Sequence, residues 1–166
     1  NSLNGISTES LYHLKNIYGT KNDDEFLLVQ NNSRYDEGGF FSSASTTVKS
    51  TVFFEDRIHS KETELNSNGR VNKCSFDMKF YWDQIEKVVL ITKEDDRTGL
   101  KTYLRFFLKN KAEYVNVWGL YLGYYSKEKF AKIASLINKI IEIHNNFNDD
   151  LANDLEAIVD NLWTVY

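Results

Sequence analysis

The chain has 166 residues, of which 42% are hydrophobic and 14% aromatic, with one Cys and no Pro. Its length fits one domain that can bury a core, and its apolar content excludes a disordered chain. A single Cys excludes a disulfide framework within the chain. No stretch approaches the ~18 apolar residues of a membrane span. A net charge of −4 argues against nucleic-acid binding. We therefore expect a soluble domain; its compartment stays open, with the cytoplasm favoured.

The first elements are a short helix and a strand. Apolar residues recur at helical spacing over residues 7–18, where Ser7 or Thr8 can cap the helix and Gly19 can end it. A short apolar run bounded by polar residues predicts the first strand at residues 26–30.

Two polar stretches predict loops. Residues 31–47 are rich in Asn, Ser and Gly, and Gly38-Gly39 is their most flexible point. We expect a long loop here, with a frayed strand at Phe40-Phe41. Residues 63–72 predict a second loop.

Strand patterns lie between and after these loops. Two β-prone runs, residues 47–54 and 57–62, are separated by Glu55-Asp56 and predict a hairpin. Beyond the second loop, alternate residues are apolar, which places one set inward on a sheet: Cys74, Phe76, Met78, Phe80 and Trp82. The alternation predicts that Cys74 is a small buried side chain and not a reactive thiol.

Three further strands and a long helix are predicted in the second half. Residues 85–92, 101–108 and 114–122 are joined by short turns and predict an antiparallel meander, with Tyr103 and Phe107 facing outward. From Ser126 the period becomes helical and predicts a helix to about His144. Its apolar stripe comprises Phe130, Ile133, Ala134, Ile137, Ile140 and Ile141.

The end of the chain is acidic. Six acids and no Lys or Arg occur between Glu142 and Tyr166, and a second helix is predicted from Asp149 to about Trp163. We expect three segments: a helical extension at residues 1–23, a β-rich domain at 24–145, and an acidic C-terminal helix at 146–166 packed on or beside it. The acidic segment is interpreted as a solvated helix face, with docking on a basic partner as the alternative.

The sequence lacks the motifs of a catalytic, metal or cofactor site. Its three His are far apart, and no CxxC, HExxH, EF-hand, GxGxxG, Walker A or GxSxG pattern occurs. A pair of Cys74 with His59 can be imagined, but the apolar neighbours of Cys74 favour an inert core position. We expect no catalytic residue, no metal and no cofactor.

Basic residues in the first half suggest a binding rim. They lie in or beside the predicted loops and hairpin: Arg34, Arg57, Lys61, Arg70 and Lys73. If those loops share one rim of the sheet, the residues could hold an anion such as a lipid headgroup or an acidic peptide. The alternative is scattered, solvated charge.

The order of elements, together with three short motifs, resembles the bacterial pleckstrin-homology-like domains over about residues 24–145. The motifs are the strand-to-strand step YWDQIEKV from Tyr81 to Val88, the helix FAKIASLI from Phe130 to Ile137, and the acidic opening step Asn22–Val29. The resemblance implies an α+β fold in which an antiparallel, partly open barrel of two bent sheets is capped by a C-terminal helix. It also implies a binding scaffold without catalytic residues.

The function predicted from these observations is a non-catalytic binding module. A protein partner is favoured over anionic lipid, because the Lys and Arg cluster that phosphoinositide-binding members carry after the first strand is missing here. One alternative is an acidic inhibitor or immunity-type protein that neutralises a partner. A second is an enzyme whose scattered site forms only in the fold. The oligomeric state is left open.

Overall fold

The computed structural model describes residues 6–22, 26–95, 97, 99–109, 114–117 and 127–146. These residues form an α+β structure with two helices and seven strands, which lie in two mainly antiparallel sheets and not in a closed barrel. They divide into two compact units, the first ending at Lys79 and the second beginning at Phe80.

The first unit holds a helix and a four-stranded sheet of order β1-β2-β3-β4. Its elements are α1 (Thr8–Tyr18), β1 (Phe26–Asp36), β2 (Ser45–Phe54), β3 (Arg57–Asn66) and β4 (Val71–Tyr81), whose last two residues belong to the second unit.

The helix α1 confirms its prediction at both ends. Ser7 Oγ accepts a hydrogen bond from the Ser10 amide at 3.1 Å, which satisfies one of the free N–H groups of the first turn. Gly19 ends the helix with a φ of 69°, a left-handed conformation that suits glycine. The buried residues Leu14 and Ile17 pack on apolar side chains of the sheet, listed here by strand: Phe26 and Val29 from β1, Val48, Val52 and Phe54 from β2, and Leu65 from β3.

The predicted loop at residues 31–47 is wrong in extent. The strand β1 continues to Asp36 and pairs with β2 up to Ser45, so the loop contains only residues 37–44, and Phe40-Phe41 lies in its turn and not in a strand. Polar residues extend the hairpin because strand pairing uses backbone groups, which a low apolar content does not weaken. The second predicted loop, residues 63–72, is wrong in extent for the same reason: β3 runs on to Asn66 and β4 begins at Val71, so this loop contains only residues 67–70.

The prediction that Cys74 is buried is also wrong, since its side chain is exposed. The alternation itself is present, with Phe76, Met78 and Phe80 half-buried and the residues between them exposed. Because β4 stands last in the strand order, only β3 is its neighbour in the sheet, and its first five residues are exposed. Period 2 identifies the face of a strand but not how far that face is covered.

The second unit holds a three-stranded sheet and the long helix. A 3₁₀ turn (Trp82–Gln84) leads into β5 (Ile85–Asp95), β6 (Gly99–Leu108) and β7 (Tyr114–Val117), and α2 spans Lys127–Asn146. The antiparallel meander β5-β6-β7 is confirmed. The outward position predicted for Tyr103 is wrong, because this residue on the central strand is 5% exposed.

The apolar stripe of α2 faces the interior of its unit. Ile137 and four of the other stripe residues, Ile133, Ala134, Ile140 and Ile141, are buried, and Phe130 is half-buried. The helix packs on β5, β6 and the 3₁₀ turn. The predicted helix cap at Ser126, the end of the predicted strand 114–122 and the predicted helix at residues 149–163 lie outside the described residues.

A side-chain amide fastens α2 to the edge of β5. Asn138 Nδ2 donates to the Val88 carbonyl at 2.8 Å, and Asn138 Oδ1 accepts from the Val88 amide at 2.9 Å. The Asn138 amide thus pairs with β5 as a neighbouring strand would, beside the register shift between Ile85 and Lys87. Pairing of this kind satisfies backbone groups at a sheet edge.

Candidate functional site

The five predicted rim residues are spread over the first sheet. Arg57 begins β3 and Arg70 follows its end, so the two lie about 30 Å apart along a strand with a rise of ~3.3 Å per residue. Arg34 on β1 and Lys73 on β4 lie toward the Arg70 end of the sheet. The structure brings Arg57 and Lys61 together, since they stand on either side of His59 on one face of β3.

Both of these cations are engaged within the chain. Arg57 Nη1 lies 2.7 Å from Asp56 Oδ1, and the guanidinium carbon lies 4.0 Å from the centre of the Phe54 ring. Lys61 Nζ donates to the Ile17 carbonyl at 3.1 Å, in the last turn of α1, where the helix dipole favours a positive charge.

His59 connects Arg57 to an acid on β4. Its Nε2 lies 2.6 Å from Asp77 Oδ1, and its Nδ1 accepts a long hydrogen bond of 3.5 Å from Arg57 Nε. Burial and the nearby cations Lys61 and Arg57 outweigh the attraction of Asp77 and hold the pKa of His59 below its ordinary 6.5. His59 is therefore neutral at pH 7, donates from Nε2 and accepts at Nδ1. Partial burial raises the pKa of Asp77, but the hydrogen bond from His59 and the surrounding positive charges outweigh it and leave that pKa lowered.

Tyr18, at the end of α1, packs against His59 in the cluster of Arg57, His59 and Asp77. Its hydroxyl lies 2.9 Å from Ser50 Oγ, and its ring meets the His59 ring edge to face at 5.1 Å between centroids. Burial raises the pKa of Tyr18, so the phenol stays protonated. The end of α1 is fastened to the sheet because the Tyr18 hydroxyl bonds Ser50 and the Ile17 carbonyl accepts from Lys61. His59 itself is nearly buried, and both of its ring nitrogens are hydrogen-bonded. A Cys74–His59 pair gains no support, since neither ring nitrogen is free to take a thiol proton.

The most exposed large apolar side chains among the described residues lie in the β1–β2 loop. Phe40 and Phe41 are each 97% exposed. Their ring centroids are 5.0 Å apart and the ring planes are inclined by 80°. We call this pair the aromatic tip.

The turn beneath the aromatic tip is held by several hydrogen bonds. Asp36 Oδ1 accepts from the Gly38 amide at 2.9 Å, and Gly39 and Ser42 exchange two backbone hydrogen bonds of 3.2 Å. Gly38 has a φ of 80°, and a Cβ at this position would lie 2.4 Å from the Ser42 carbonyl oxygen. The Gly-Gly step predicted as the most flexible point is thus a defined turn in which Gly38 is required.

Sequence reasoning missed the aromatic tip as a candidate site. The signal was two adjacent Phe between Gly-Gly and Ser-Ser in an otherwise polar segment, which was assigned to a frayed strand. Two consecutive apolar side chains in a strand would point to opposite faces, whereas a turn presents both to solvent.

Other kinds of site find no support in the described part of the chain. It contains no cluster of three or more His, Cys, Asp or Glu suited to a metal ion, and no helix there has the length and hydropathy to cross a membrane. Comparison with protein-family models, curated proteins and solved structures gives no match to this chain.

Proposed function

We propose that this chain is a non-catalytic binding module that recognises a protein partner through the aromatic tip. The observation that carries the proposal is the near-complete exposure of Phe40 and Phe41 on a hydrogen-bonded turn. Isolated exposed apolar residues are ordinary, but two adjacent Phe rings held at the end of a hairpin form a concentrated apolar surface.

The energetics favour a docking role for this pair. A Phe side chain buries roughly 150–250 Å² on transfer to an apolar site, and aromatic anchors of this size commonly contribute ~2 kcal/mol or more each at an interface. The hydrogen bonds of the turn restrict the loop before binding, which lowers the entropy lost on association. The aromatic tip therefore combines a large apolar contact with a preorganised backbone.

We further propose a pleckstrin-homology-like scaffold over residues 24–145. A four-stranded antiparallel meander, then a three-stranded one, then a long amphipathic helix is the element order expected of that fold. The buried stripe of α2 and its packing on β5 and β6 support the proposal. On such a scaffold the β1–β2 loop is free to carry specificity, while the sheets supply the rigid support.

Affinity capture from source-cell extract tests the function. The double variant F40S/F41S is compared with the wild type and with Tyr114→Ser, which removes an exposed aromatic ring from the second unit. We expect the wild type and the control to retain the same protein and the double variant to lose it, with the melting temperature unchanged because both Phe are exposed. Equal capture by all three proteins, or capture of no protein by the wild type, would contradict the proposal.

A further inference from the structure

The shape of the aromatic tip restricts the surface that it can enter. The two rings stand nearly perpendicular to one another on a convex turn. A flat surface can cover the face of one ring only, whereas a concave apolar site contacts both. Burial of both rings on a protein partner therefore requires a pocket.

The charges beside the tip restrict the rim of that pocket. Asp36 and Glu37 stand directly before the turn, and residues 36–44 contain no Lys or Arg. The cations at this end of the sheet, Arg34, Arg70 and Lys73, lie in or beside the strands and farther from the two rings than these acids. Both acids are exposed, so a partner that encloses the tip must face them. Complementary positive charge at the rim attracts these carboxylates, and negative charge repels them.

The same acids disfavour an anionic bilayer as the occupant. Insertion of the tip to the depth of the rings would bring Asp36 and Glu37 among negatively charged headgroups, where basic residues are the usual attractive groups.

We infer that the aromatic tip docks into an apolar pocket of a partner protein, and that Lys or Arg residues line the pocket rim opposite Asp36 and Glu37. This inference rests on the proposed binding function and adds the chemistry of the partner site. Phe40 and Phe41 supply the apolar contact, and Glu37 supplies an exposed negative charge that attracts the Lys or Arg residues of the rim.

Photo-crosslinking identifies the contacted surface. Phe41→p-benzoylphenylalanine is irradiated in source-cell extract, and the same amino acid at Tyr114 serves as the control. The inference expects a crosslink from position 41 to a protein peptide that contains apolar residues together with Lys or Arg. A crosslink to lipid, or binding of the wild type to phosphatidylcholine–phosphatidylglycerol vesicles that F40S/F41S abolishes, would overturn it.

A charge reversal separates this inference from the proposed function. Glu37→Lys should weaken capture roughly three- to tenfold, while Glu86→Lys, an exposed charge change in the second unit, should leave it unchanged. If F40S/F41S loses the partner but Glu37→Lys binds as the wild type does, the basic rim is wrong and the binding function stands. If F40S/F41S retains the partner, both fail.

Discussion

The turn beneath the aromatic tip provides the sharpest test of the site, through Gly38→Ala. An alanine at a φ of 80° adopts the left-handed region at a cost of about 1–2 kcal/mol. Its Cβ would also lie 2.4 Å from the Ser42 carbonyl oxygen and 2.8 Å from the Ser43 carbonyl carbon, which are backbone atoms that move only if the turn opens. The substitution therefore changes how the two Phe are presented without altering either of them.

The expected magnitude follows from these two effects. The left-handed strain alone lowers the ratio of closed to open turn by roughly 5- to 30-fold. The contact with Ser42 adds to this cost. Because the loop is exposed and the flanking strands remain paired, the global stability should change little.

Amide hydrogen exchange measures the turn directly. The Gly39 and Ser42 amides, each bonded across the turn, should exchange faster in Gly38→Ala by about the same 5- to 30-fold factor. Gly39→Ala is the matched control, because its Cβ would meet only Ser42 Oγ, at an ordinary 3.7 Å. Wild-type exchange at both amides in Gly38→Ala, or equal acceleration in the control, would refute the reasoning.

Three further predictions concern the rest of the chain. Asn138→Ala leaves both backbone polar groups of Val88 without their partner and should lower the free energy of unfolding by about 2–4 kcal/mol, measured by urea denaturation. The control Ser135→Ala, at an exposed neighbouring position on α2, should change the free energy of unfolding little. The folded-state pKa of His59 lies below 6.5, so the unfolded chain binds the proton more readily than the folded chain does. The melting temperature should therefore fall as the pH drops from 7 through 6.5 toward that lowered pKa. In His59→Gln the melting temperature should depend less steeply on pH over the same range. An equally steep fall in His59→Gln would assign the pH dependence to other groups. Cys74 is exposed and should react with a maleimide in the native protein as fast as after denaturation. Slower reaction in the native protein would show that Cys74 is buried, as the sequence predicted.

Features set by local sequence could be predicted. The caps of α1 at Ser7 and Gly19, the hairpin around Glu55-Asp56 and the buried stripe of α2 each depend on residues close together in the chain. Side-chain period and capping chemistry are sufficient for such elements.

Features set by pairing and by distant contacts could not be predicted. The polar second half of β1 is a strand because β2 pairs with it, which its own side chains do not indicate. The hydrogen bond that joins His59 to Asp77 depends on the register of β3 and β4, and the exposure of Cys74 depends on the place of β4 in the sheet. Residue type alone predicted a basic rim, but its members lie at different points along the strands, with Arg57 and Arg70 at opposite ends of β3.

Hydroxyl-radical footprinting tests the central claim most directly, because it measures the solvent exposure of Phe40 and Phe41 with and without the captured partner. Both rings should be strongly oxidised in the free chain, as their exposure requires, and protected in the complex, while oxidation of Tyr114 stays unchanged. Equal oxidation of both Phe in the free and bound states would show that the partner binds elsewhere and would contradict the account.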